Sequence, residues 1–249
     1  MPWVETHSPS FAARHDSQHA DHARRILNDL EQFRIELDEE FDTTPRDISV
    51  VIHPRPAMLT LAQPWLPLAR RAAAPASRRY FAGWFASNEI HVLAPPVLEA
   101  RASGSEGSKE ALLLTPRHEY AHVVVGANNP ALPPPFGVRN FRRYVRLAWQ
   151  AEGAATWFAG QTRHLRAAIV LRLREEGRPE FPPAPRDALL LGGTIYALLE
   201  RERGTDAAVA LASAPESRAP RITIERAFGR AAASVERDWR DYLSSLSAA

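Results

Sequence analysis

The sequence predicts an α+β protein: a small mixed sheet towards the N-terminus, a central helix rich in polar chemistry, and a helical C-terminal part. Three observations lead there. An amphipathic pattern at helical spacing opens the chain, brief β-branched and apolar runs follow it, and beyond Arg163 the apolar residues recur almost entirely with helical period.

The elements follow in order. Residues 3 to 6 form a short extended segment before a Ser-Pro turn, and residues 16 to 41 form an amphipathic helix with Ala23, Ile26, Leu27, Leu30, Phe33 and Leu37 on one face. Thr43, Thr44 and Pro45 stop it. The β-branched run ISVVIH at 48 to 53 reads as a buried strand, ended by Pro54 and Pro56. Residues 59 to 79, with prolines at 64, 67 and 75 and four closely spaced arginines, read as a surface connection with a short helical piece. Two apolar runs, 80 to 85 and 89 to 93, flank Ala86, Ser87 and Asn88 and suit a hairpin whose second strand ends at Pro95 and Pro96. A Ser- and Gly-rich loop leads into a helix running from near Lys109 through His122 to about Gly126. Residues 128 to 137 hold four prolines and must be a loop. A helix containing Glu152 follows, and then helices over 165 to 176, 188 to 203 ended by Gly204, 207 to 212 and 234 to 246. The proline-rich stretch 179 to 185 marks the best internal boundary, dividing residues 1–178 from a helical part at 179–249; no repeat of fixed period is visible.

Composition narrows the chemistry. A hydrophobic fraction of 45% over 249 residues supplies a real core. With 31 basic against 29 acidic residues, the charge balance gives no sign of a concentrated basic face, so nucleic acid is not the expected partner. No apolar run is long enough to cross a bilayer and no leader-like segment is visible, so a cytoplasmic protein without a membrane partner is expected. There is no cysteine, so any metal must be held by imidazole and carboxylate.

His118-Glu119-Tyr120-Ala121-His122 supplies that pair of imidazoles. A spacing of four places both rings one turn apart on one helix face, within reach of a single zinc ion, and Glu119 beside them can take a proton from a water that the ion acidifies. A third ligand must come from another element, either a histidine or a carboxylate. Glu152 fits the role, lying in WQAEGAATWF at 149 to 158 beyond the proline-rich reversal. Trp149, Trp157 and Phe158 read as core packing. His15, His19 and His22 are read as a polar terminal segment in preference to a second metal site, His91 faces either side of its strand, and His164 reads as a solvated residue.

HEYAH and WQAEGAATWF together resemble the peptidase MA-like gluzincins, which pair HExxH with a later helix of the form W-x-x-E-G-x-A-x-[WYF]-[FY]. The N-terminal helix, ISVVIH, GWFASNEIHVLAP and the tail ITIERAFGRAAASVERDWRDYL extend the resemblance over nearly the whole chain. It implies a zincin-like fold and a Zn2+-dependent metallopeptidase that cleaves a peptide or protein substrate. His118, His122 and Glu152 are carried over as ligands, Glu119 as general base, and residues 89 to 94 as the edge strand that pairs with an extended peptide. Relatives often place a tyrosine, as oxyanion donor, where this chain has Leu189; the donor then comes from elsewhere, with Tyr196 and Tyr144 as candidates. Leu189 also motivates the alternative of a catalytically weak or inactive metal-binding module with a binding role, and a third reading makes the metal a purely structural clamp. The Gly-x-Met-Glu-Asn motif of the related aminopeptidases is absent, which disfavours an exopeptidase.

Overall fold

The computed structural model describes residues 3–63, 65–132, 134, 137–214 and 219–248. Pro133, Pro135 and Phe136 of the expected proline-rich loop lie outside the described residues. The chain is α+β. Its elements are β1 (Trp3–His7), β2 (Phe11–Asp16), α1 (Ala20–Asp38), β3 (Ile48–His53), α2 (Pro56–Ala62), α3 (Leu66–Ala72), β4 (Gly83–Phe85), β5 (Glu89–Leu93) and α4 (Pro95–Arg101). There follow α5 (Ser108–Leu113), α6 (Thr115–Asn128), α7 (Val138–Arg146), α8 (Ala148–Phe158), α9 (Arg166–Glu176), α10 (Ala188–Arg203), α11 (Thr205–Ser213), α12 (Pro220–Phe228) and α13 (Ala232–Ala248).

The five strands form one mixed sheet in the order β1-β2-β3-β5-β4. β2, β3 and β5 run parallel, and the outer strands β1 and β4 pair antiparallel with their neighbours. Register puts Phe11, Ala13, Ile48, Val50, Ile52, Ile90 and Val92 on one face. There they are buried in a core shared with α1 and α6, where the Phe11 and Tyr120 rings meet edge to face at 5.0 Å.

Several expectations are corrected. Residues 89 to 94 are not an edge strand, because β5 is hydrogen-bonded on both sides, to β3 and to β4. The edge beside α6 is β4, only three residues long. The strand β2 escaped the sequence reading because its alternation, Phe11, Ala13, His15, contains one strongly apolar residue. Pro95 and Pro96 do more than end β5: they occupy the first turn of α4, where a missing N–H costs nothing. The expected continuous helix through His122 breaks at Leu114. Pro116 cannot donate to the Leu112 carbonyl, and the Thr115 hydroxyl takes that acceptor at 2.6 Å.

The helical part packs on the rest through a close crossing of α10 over α8. A Cβ on Gly192 would stand 2.6 Å from the Trp149 carbonyl oxygen, and one on Gly153 would stand 2.7 Å from the carbonyl carbon of Gly192. Only glycine at both positions lets the backbones approach so closely. Deeper in this part Arg172 and Asp187, both with fully buried side chains, form a bidentate pair at 2.6 and 2.8 Å that ties α9 to the start of α10.

Charge is segregated, contrary to what the near-balanced totals suggest. Residues 48–88 and 120–151 contain nine arginines and no acidic residue, leaving 22 of the 31 basic residues to balance all 29 acidic ones elsewhere. No described helix is long and apolar enough to cross a membrane.

Candidate metal centre

α6 carries His118 and His122 one turn apart, and α8 crosses beneath it with Glu152 in its second turn. The Nε2 atoms of the two histidines lie 3.1 Å apart. Glu152 closes the triangle, with Oε2 at 3.4 Å from His118 Nε2 and Oε1 at 3.6 Å from His122 Nε2. All three side chains are buried, and their candidate ligand atoms lie within 4.8 Å of one another. Among the described residues they are the one group of this kind.

The donor set fits a divalent cation. Two imidazole nitrogens facing each other at hydrogen-bond distance need either a shared proton or a common metal, and Glu152 Oε2 is buried without a hydrogen-bond partner. The tautomer of His118 is fixed by its neighbour. Gln161 donates its amide to the Ala111 carbonyl at 2.7 Å, so its Oε1 accepts from His118 Nδ1 at 2.8 Å. That leaves the lone pair of His118 on Nε2, towards Glu152 and His122. Gln161 was not legible in the sequence: it reaches α6 because Gly160, at φ 75°, turns the chain just after α8. His122 is held by its ring stacked on Phe85, with centroids 4.4 Å apart and planes 13° from parallel.

Electrostatics separates the four groups. Burial pushes His122 down to about 3, against the opposing charge of Glu152, so it is neutral and free to ligate. Burial also works against charge on His118, but the adjacent Glu152 carboxylate outweighs it and raises the ring. Burial works to raise Glu152, yet the contact with His118 and the charges of both imidazoles hold it below the usual range. Glu119 is pushed up to about 8, mainly by burial, with His118 lowering it and Glu152 raising it further.

The centre opens into a cavity with room of about 110 Å³ for water-sized molecules, to which Glu119 contributes a wall. Trp65 and Leu66, Tyr80 and Phe81, and Phe141 and Val145 make most of the rest apolar. α3 and α7 roof it, joined by the stacked rings of Trp65 and Phe141 at 5.6 Å. Of the two tyrosines considered as donors, Tyr144 lies at the site: it lines the cavity and its hydroxyl donates to Glu152 Oε1. Tyr196 is fully buried away from it and donates to the Gln150 carbonyl at 3.2 Å. Leu189 lines the cavity as an apolar wall.

The remaining histidines lie apart from the centre. His15 sits in β2, bonded to Thr6 and to the Asp16 carbonyl, so it shares no helix face with His19 and His22. His91 points to the far face of the sheet, stacked on Trp84 at 3.8 Å and hydrogen-bonded to His53 at 2.8 Å. His164 closes a short turn beside Arg163. Trp149 is buried in the common core and Trp157 and Phe158 pack against it. In comparisons with protein-family models, with curated proteins and with solved structures, nothing matches this chain.

Proposed function

We propose that the chain is a zincin-like, zinc-dependent metallopeptidase in which His118, His122 and Glu152 hold the ion and Glu119 is the general base. One observation carries this reading: two imidazoles and a carboxylate from separate helices converge at the floor of a cavity that also contains an unpaired buried carboxylic acid side chain. When bound, zinc supplies Lewis acidity at the substrate carbonyl and a positive charge that favours the ionised form of Glu119.

The chain's own residues do the rest. Glu119 accepts the proton of the attacking water and returns it to the leaving amine. The Tyr144 hydroxyl, already at the centre, donates to the oxyanion that develops on the carbonyl. Gln161 keeps His118 in one tautomer and orientation through turnover. α3 and α7 give the centre a largely apolar surround, with Trp65 stacked on Phe141.

Protein purified without chelators should contain about one zinc per chain, as a three-ligand site requires. Glu119→Gln should keep the metal and lose roughly 10²- to 10⁴-fold in hydrolysis of a generic peptide or casein substrate. Full activity in that variant, or no metal in the parent, defeats the assignment. Leu189 favours the alternative of a binding module with little turnover; chelator-sensitive hydrolysis restored by zinc excludes it.

A further inference from the structure

The two segments that roof and flank the cavity, 48–88 and 120–151, are the two longest stretches without an acidic residue. On α3, Leu66, Ala69 and Ala72 face the cavity, and on α7, Phe141, Tyr144 and Val145 do so, with arginines between them. Arg70, Arg71, Arg78, Arg79, Arg139 and Arg142 form no ion pair with an acidic side chain among the described residues. Several arginines elsewhere are paired, such as Arg24 with Asp21, Arg117 with Asp29, Arg221 with Glu236 and Arg230 with Glu202. Arg101, on α4, is lowered by burial and then by the charges of Arg70 and Arg79. Within the cavity wall Arg186 is the one side chain with a permanent positive charge.

Three large apolar residues, Leu61, Leu68 and Val138, are exposed on α2, α3 and α7. At the floor lies β4. The backbone bonds Leu93 to Ala82 and Ala86 to Glu89 turn the groups of residues 82, 84 and 86 towards β5. The N–H and C=O of Gly83 and Phe85 therefore point away from β5, along the outer edge of the sheet.

We propose that the arginine-clad mouth of this cavity binds an acidic polypeptide, presenting a bulky apolar residue to the cavity between flanking carboxylates. The inference rests on reading the cavity as a substrate cleft. A concave mouth with an outer strand at its floor fits an extended chain better than a flat bilayer, and the cavity's apolar wall, whose Trp65 is already stacked on Phe141, offers a nucleic acid little.

The test uses zinc-loaded Glu119→Gln, so that binding is read without turnover. Its probe is a short fluorescein-labelled peptide with glutamates on both sides of a central leucine and phenylalanine, followed by anisotropy. Binding should be roughly tenfold tighter than to the same peptide with glutamine for glutamate, and should weaken as salt rises. Arg139→Glu/Arg142→Glu, or Arg71→Glu/Arg79→Glu should folding of the first fail, should abolish that preference, while Arg226→Glu on α12 leaves it intact. Equal binding of the glutamate and glutamine peptides overturns the proposal. So does tighter binding to phosphatidylglycerol vesicles or to a single-stranded oligonucleotide than to the acidic peptide. Hydrolysis of neutral peptides by the parent with no acidic preference would sink this inference and leave the peptidase reading standing. Salt-sensitive acidic binding without any hydrolysis would do the reverse.

Discussion

Glu119 has room because residue 83 has no side chain: a Cβ there would stand 2.5 Å from Glu119 Oε1 and 2.7 Å from its Cγ. Gly83→Ala should therefore displace the proposed base, and because the same Cβ would stand 2.8 Å from the His91 carbonyl oxygen it should also shift β4; kcat should fall by about tenfold or more, as expected when a reacting group is misplaced. Tyr144→Phe should keep the metal and cost about 10²- to 10³-fold in kcat if its hydroxyl meets the oxyanion; a rate within threefold of the parent would remove it from the mechanism. Gln161→Leu acts differently, through His118, and should weaken zinc affinity by about 10- to 100-fold, read by competition with a chromogenic chelator. At this scale the sequence displayed what depends on local spacing. His118 and His122 are fixed by one helical turn, and Glu152 by a second local motif. Gly83 and Gln161 reach the centre only through tertiary folding, from an edge strand and a turn after α8, and no local pattern marks them for it; the sequence leaves Tyr144 as one of two tyrosines open as donors, and only its place on α7 separates it from Tyr196.

Helices and strands decide how firmly the site is held. α8 carries Glu152 and is in backbone contact with α10 through Gly153 and Gly192. Gly192→Ala should force the two apart, destabilising the fold by about 1–3 kcal/mol as overpacking does, and zinc affinity should drop with it because one ligand travels with α8. The sheet makes its own prediction. His53 and His91, on the face away from the site, are both held near about 4, chiefly by burial. Between the ordinary histidine value of 6.5 and that level, the unfolded chain takes up protons that the folded chain refuses. Their contribution is thus complete above the ordinary value and is lost as pH falls towards 4. The urea midpoint should fall between pH 7 and pH 5, and His53→Leu/His91→Leu should flatten that fall; an unchanged slope in the double variant would assign the dependence to other groups. Element boundaries were less legible than element types. The break between α5 and α6 depends on which group takes the Leu112 carbonyl, and β2 on an alternation spelled with a single aromatic.

Across the whole molecule, a continuous core runs from the sheet through α6 and α8 to α10 and α13, and the candidate ligands sit on its two central helices. An ion held there binds the folded chain alone, so saturating zinc should add about 3 kcal/mol at a hundredfold excess over Kd, and stripping it should lower Tm by about 5–10 °C. Equal melting of the zinc-loaded and stripped protein would mean that the three side chains do not act together. Composition could not have revealed the molecular charge pattern: totals of 31 and 29 describe a nearly neutral chain, whereas two separated segments with nine arginines and no acidic residue both line one cavity.

The order of the strands has one further consequence. β3 and β5 are direct parallel neighbours, so everything between them, from Pro54 to Asn88, is an excursion that leaves the sheet and returns beside its point of departure. That excursion contributes α2, α3 and β4, hence half of the roof and the floor of the mouth, while every proposed metal ligand and Glu119 come from later in the chain. Within that excursion α2 and α3 can vary as a route to new selectivity, whereas β4 must keep Gly83 and Phe85, because the first leaves space for Glu119 and the second carries the His122 ring.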